Sequence, residues 1–213
     1  MFEVAHLLGA EVRTVVKREH QGKPANVVIA TVTYDADLED LWDAVTNAER
    51  IPRWFLPVTG ELRLGGRYQL QGNAGGTITE CEAPKRLALT WEFGGGVSWV
   101  TVDLAALGDG RASLRLEHVA EATGDAAEFW SKYGPGAVGV GWDLALSALA
   151  KYLVTKVAVD SAAAHAWMAA DEGKAYMTAS SLAWRDAALA SGISREAAEA
   201  MAKATTAFYT GEG

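Results

Sequence analysis

The chain predicts an α+β domain, a curved antiparallel sheet with one long C-terminal helix, followed by an added helical segment. Three observations carry this expectation. Between residues 60 and 119, short apolar segments alternate with turn glycines at Gly65-Gly66, Gly75-Gly76, Gly94 to Gly96 and Gly108/Gly110, the pattern of an antiparallel meander. Residues 135–157 place Val138, Trp142, Leu146, Leu149 and Leu153 on one helical stripe. Residues 158–213 are alanine-rich and helical in period, with a break at "SGIS" (191–194).

Taken in order, "NVVIATVTY" (26–34) is β-branched and reads as a strand, with "EVRTVVKREH" (11–20) as its hairpin partner across "QGKPA". "DADLEDLWDAVTNAERIPRWF" (35–55) then puts acidic residues in a first helical turn. Leu38, Leu41, Trp42 and Val45 follow at helical spacing, and Asn47 is the stop signal. A second short helix is expected to carry Ile51, Trp54 and Phe55. The meander strands are "GRYQLQG", "GTITECE", "RLALTWEF", "VSWVTVDLAAL" and "RASLRLEHV". The helix over 135–157 would be on the order of 33 Å long at ~1.5 Å per residue, enough to cross the face of a sheet. A final helix starts at Ser194-Arg195-Glu196.

Composition narrows the function classes. The 213 residues are 50% apolar and 22% charged, with a net charge of −8. An acidic chain without a Lys/Arg cluster is a poor match for nucleic acid or an anionic membrane. Cys81 is the sole cysteine, so neither a disulfide framework nor a Cys-based zinc site is expected, in keeping with a cytoplasmic protein. The N-terminus lacks a signal-peptide pattern, and no segment is read as a membrane span. No H-E-x-x-H or G-x-S-x-G occurs, and His6, His20, His118 and His165 are scattered, so no metal and no cofactor is expected. "GPGAVG" (134–139) spells a dinucleotide-binding loop, but no strand precedes it and no second βαβ unit follows. Gly136, Gly139 and Gly141 are instead expected to let the start of the long helix lie close to the sheet. Asp143 and the "DADLED" run read as solvated helix-start charges.

Strand, two short helices, meander and long helix is the order of a helix-grip domain. "YDADLEDLWDAVTNAERIPRWFLP", "GELRLGGRYQL", "GGTITECEAPKRLALTWEF", "LRLEHV" and "GWDLALSALAKYL" together resemble the activator of heat-shock protein 90 ATPase homologue-like branch of the START/polyketide-cyclase (SRPBCC) superfamily. The resemblance covers about residues 26–153. It implies a domain over 1–157 with a hydrophobic cavity between sheet and long helix, and leaves 158–213 as a C-terminal helical extension.

Alternation then selects the inward side chains. In "LRLEHV" His118 shares a face with Leu114 and Leu116; in "RLALTWEF" Trp91 shares one with Leu87 and Leu89. In "VSWVTVDL" the apolar set is Val100, Val102 and Leu104, which turns Trp99 outward unless the preceding glycines introduce a bulge. Trp54 and Phe55 stand at the expected cavity mouth, and Trp142 and Leu146 on the long helix. For Tyr68 and Glu80 the alternation does not settle a face. These nine residues are the candidate ligand-binding set. His118 reads either as a neutral core histidine or as a group that orients a ligand or moves a proton.

Three function classes follow. The first is the binding of a small hydrophobic molecule, whether lipid, aromatic or polyketide-like, without cofactor or metal. The second is a cyclase/aromatase- or hydrolase-like enzyme using His118. The third is a co-chaperone-like ATPase stimulator or a homodimeric regulator using the C-terminal helices, where Tyr176, Met177, Ser180, Trp184 and Ala187 share a stripe that must be buried.

Overall fold

Gln21 and Gly22 both take left-handed backbone angles, φ 52° and 78°, and make a tight two-residue turn. The expected longer loop is therefore absent: β1 (Val12–His20) turns directly into β2 (Lys23–Tyr34), and Lys23 and Pro24 belong to the strand. The structure is a computed structural model and describes residues 9–212, so His6 lies outside the described residues. After β2 come α1 (Leu38–Thr46) and a 3-10 turn at Ile51–Arg53. The remaining strands are β3 (Val58–Gly60), β4 (Arg67–Leu70), β5 (Gly75–Glu82), β6 (Arg86–Phe93), β7 (Gly96–Gly108) and β8 (Arg111–Glu121). They form one sheet in the order β1-β2-β8-β7-β6-β5-β4-β3, antiparallel from β3 through β8. The helices α2 (Gly124–Tyr133), α3 (Gly136–Thr155), α4 (Ser161–Ala169), α5 (Asp171–Ala190) and α6 (Arg195–Thr210) complete an α+β helix-grip fold.

Local chemistry explains the helix ends. Asp37 caps α1 by accepting from the Asp40 amide at 3.2 Å, and Asn47 ends it. Asp160 and Ser194 cap α4 and α6 in the same way. Gly134, at φ 60°, ends α2, and α3 begins two residues later; this resolves the glycine-rich stretch as a helix-to-helix joint.

The chain forms two compact units, which do not meet at the expected boundary of 157/158. Among the described residues the first comprises 9–30, 121–147 and 160–212; the second comprises 31–120 and 148–159. In the second, Tyr68, Leu70 and Ile78 form a buried cluster with Phe55, Leu89 and Trp91 packed against it. Arg50 ties the end of α1 to the end of α3, pairing with Asp40 at 2.7 Å and Asp43 at 2.9 Å and donating to the Tyr152 hydroxyl at 3.1 Å.

The first unit is organised around the start of α3. Tyr176, Met177, Ser180, Trp184 and Ala187 are all buried, so the stripe read on α5 is covered within its own chain. The α3 glycines pack against the C-terminal helices rather than the sheet. A Cβ on Gly139 would penetrate the Trp184 indole, one on Gly136 would stand 3.0 Å from the Thr205 side chain, and one on Gly141 would stand 3.2 Å from the Tyr209 hydroxyl. Gly139→Ala is expected to destabilise the protein by about 1–3 kcal/mol through overpacking. Thermal unfolding measures this, and Trp184→Phe in the same chain should recover part of the loss; an unchanged midpoint in the single variant would contradict the packing.

Asp143 overturns its surface reading. It is fully buried and accepts from the Ala10 amide at 3.0 Å, from Arg13 through both Nε and Nη2, from Trp184 Nε1 at 3.1 Å and from the Ser180 hydroxyl. Nearby, the Tyr176 hydroxyl donates to the Asp143 carbonyl at 2.9 Å and accepts from the Gly9 amide at 3.1 Å. Burial pushes the Asp143 carboxyl above its ordinary pKa, and the Arg13 guanidinium and the hydrogen bonds pull it back. By length and composition α3 could cross a membrane, with a mean hydropathy of 1.3, contrary to the sequence expectation. Its buried Val140, Leu146, Leu149 and Leu153, together with the paired Asp143, make it a core helix.

Candidate functional site

The site grows out of strand register in the second unit. Ile78 lies opposite Leu89, Leu89 opposite Val100, and Val100 opposite His118, so one row of same-face side chains crosses four strands. A parallel row pairs Trp91 with Ser98, and Ser98 with Ala120. Two of these positions are polar, and they meet: His118 Nε2 lies 2.8 Å from Ser98 Oγ. Ser98 Oγ donates its hydrogen to the Trp91 carbonyl at 3.2 Å. A hydroxyl has one proton, so the histidine supplies the hydrogen of the first bond and is the Nε2–H tautomer. The Trp91 ring stands 6.1 Å from the imidazole, tilted by 57°.

Burial holds the His118 imidazole near pKa 4, well below its usual range, so the ring is neutral at physiological pH. A general base works best with a pKa near the operating pH, and an imidazole at 4 is a feeble acceptor for catalysis at neutral pH. What the arrangement does offer is a hydrogen-bonding pair and an indole set in an otherwise apolar surface. Among the described residues no group of three or more His, Cys, Asp or Glu could hold a metal ion.

The other expected site residues divide. Phe55 packs on the Tyr68, Leu70 and Ile78 cluster, and Trp54 stacks on Phe55 with centroids 5.4 Å apart. The Trp54 indole N–H is committed to the Ala44 carbonyl at 2.9 Å, so its polar end is already used. Tyr68 is buried and donates its hydroxyl to the Thr90 carbonyl at 2.8 Å; burial raises its pKa, and it reads as core. Trp142 and Leu146 are buried in the first unit, on the part of α3 that carries Asp143.

Two residues leave the set. Trp99 lies opposite Thr90 and Val119, on the face away from Trp91 and His118, because the β6–β7 register runs without interruption from Arg86 to Phe93 and no bulge turns it inward. Glu80 follows a register shift between Ile78 and Glu80 that places it opposite Ala88 on the outer face. There it is exposed and pairs with Arg86 at 2.7 Å, so it is a surface charge. Ser98, by contrast, was not singled out from the sequence. Its signal was present, since it alternates in step with Val100 and Val102, but a lone serine in an apolar set reads as tolerated rather than functional.

Comparison with known proteins agrees with this architecture. A family model described as Activator of Hsp90 ATPase homolog 1-like protein matches residues 35–154. The chain is similar to CalU16 from Micromonospora echinospora. It is 31% identical to the crystal structure of that protein over 83% of this chain and 96% of the other, with a TM-score of 0.66. The solution NMR structure of CalU16 gives 32% identity over 86% and 96%, with a TM-score of 0.69. EF2215 from Enterococcus faecalis shares the fold alone, at 14% identity and a TM-score of 0.56 over 81% of this chain and 91% of that one. No curated protein sequence matches the chain.

Proposed function

Since the chain belongs to the Activator of Hsp90 ATPase homolog 1-like family, within the START/polyketide-cyclase superfamily, we propose that it binds a small hydrophobic molecule on the sheet face centred on Trp91, Ser98 and His118. The ligand class is lipid, aromatic or polyketide-like. The observation that carries this reading is the His118–Ser98 pair beside Trp91, a polar couple in an apolar row, which is how small-molecule sites fix orientation while the apolar surface supplies affinity. Binding is favoured over His118 acid/base chemistry because the imidazole is too weak a base at neutral pH. The proposal places the protein in the cytoplasm, where the exposed, free Cys81 stays reduced.

Native mass spectrometry of protein purified without organic additives, followed by the same sample denatured, tests the proposal. A mass excess that disappears on denaturation is the expected result, and its mass identifies the compound. Trp91→Ala and Ser98→Ala are expected to weaken rebinding of that compound roughly tenfold each, the scale of one aromatic contact or hydrogen bond. A clean apo mass, with no tryptophan-fluorescence response to a panel of fatty acids and polycyclic aromatics, would overturn it. The same spectrum reports self-association as a mass at twice that of the chain.

A further inference from the structure

A groove of about 440 Å³ lies wholly within the first unit, lined by β1 and β2 on one side and by Ala122, Ala127 and Trp130 at and along α2 on the other. Its floor and wall are largely apolar: Pro24, Ala25, Ala122, Ala127 and the Trp130 indole. Its rim carries Lys17 and Arg18 beside Glu19, and Asn26 lines it from below.

Three features separate this groove from an ordinary surface crease. Asn26, 5% exposed, sets a side-chain amide in the otherwise largely apolar wall of the groove. None of the ten residues of α2 is buried, although the helix carries both Phe129 and Trp130. Its apolar side is therefore incompletely covered by the protein itself. Lys17 is exposed and has no carboxylate partner among the described residues, whereas the neighbouring Lys23 is neutralised by Glu121 at 3.0 Å. In a chain of net charge −8, an unpaired cation on the rim of an aromatic groove is a local attraction for an anion.

We propose that this groove is a second small-molecule site, distinct from the sheet face, and that it takes a small planar aromatic carboxylate. The ring lies against the Trp130 indole between Pro24 and Ala127, an oxygen reaches the Asn26 amide, and the carboxylate lies under the Lys17 ammonium. Volume fits the class, since small-molecule sites span ~300–1,000 Å³. Glu19 on the same rim works against a dianion and selects a single negative charge.

The test uses 2-naphthoate as the probe, titrated into the full chain while amide resonances are followed by two-dimensional NMR. Saturable shifts are expected at residues 17–19, 25–26, 122 and 127 and at the Trp130 indole N–H. Affinity is expected to fall at least fivefold in Lys17→Glu, a surface change that leaves folding intact, and at least fivefold for the neutral analogue 2-naphthylmethanol. Trp130→Ala should abolish the shifts on β1 and β2. Shifts confined to Trp91, Ser98 and His118 would overturn the groove site while leaving the sheet-face reading standing. Unchanged affinity in Lys17→Glu, or equal binding of the alcohol, would also overturn it.

Discussion

Replacing Asp143 with alanine is expected to cost about 3–5 kcal/mol of folding stability, the range for breaking one side of a buried ion pair. The carboxylate is fully buried, and its partner Arg13 keeps only 9% of its side chain exposed, so the variant strands a guanidinium where water does not replace the lost charge. It also leaves the Ser180 hydroxyl, the Trp184 indole N–H and the Ala10 amide without their acceptor. Urea unfolding at neutral pH measures the effect. Arg13→Met should cost less than Asp143→Ala, because the remaining carboxylate keeps three donors. The double variant should be less destabilised than the sum of the singles, because the buried charges are then removed together. Loss of under 1 kcal/mol for Asp143→Ala would show that the network is dispensable.

Stability is expected to fall as pH drops from about 6.5 towards 4, by about 3 kcal/mol at the lower end, through His118 alone. The sign follows from which state takes up protons. Unfolded, the imidazole titrates near its model value of 6.5; folded, burial holds it near 4. Between these values the unfolded chain binds the extra proton, so the contribution is complete above 6.5 and is lost on the way down to 4. His118→Leu removes the group and should flatten this segment of the stability profile relative to the native chain, whatever its effect at neutral pH. Parallel profiles for the two proteins between pH 6.5 and 4 would show that the imidazole is not held neutral by the fold. Since Ser98 accepts the Nε2 hydrogen and burial is the cause of the shift, Ser98→Ala should leave most of the slope in place.

Much of the molecule was legible before any coordinates. Strand β6 occupies the same residues as "RLALTWEF", and α1 lies between the acidic start and Asn47 stop read from its segment. The faces of Trp91 and His118 followed from alternation, and the buried α5 stripe from helical spacing. These features are periodic: whether a side chain shares a face with its neighbours depends on backbone repeat, a property of consecutive residues. Glu80 escaped this logic because one register irregularity reverses alternation, and nothing in "GTITECE" marks where it falls.

The sequence by itself therefore determined most of the strands and the long helices, though not β3 or α2, together with the α+β helix-grip class and which residues share a face in most strands. Tertiary structure alone decided what those faces meet. Asp143 reads as a helix-start charge until Arg13, 130 positions earlier, and Ser180, 37 later, close over it. Gly139 reads as a loop-entry glycine until the Trp184 indole occupies the space its side chain would need. Ser98 and His118, 20 residues apart, become a pair only through the β7–β8 register. Local periodicity encodes direction, but burial and charge pairing depend on which distant segment arrives, and that is set by the packing of the chain as a whole.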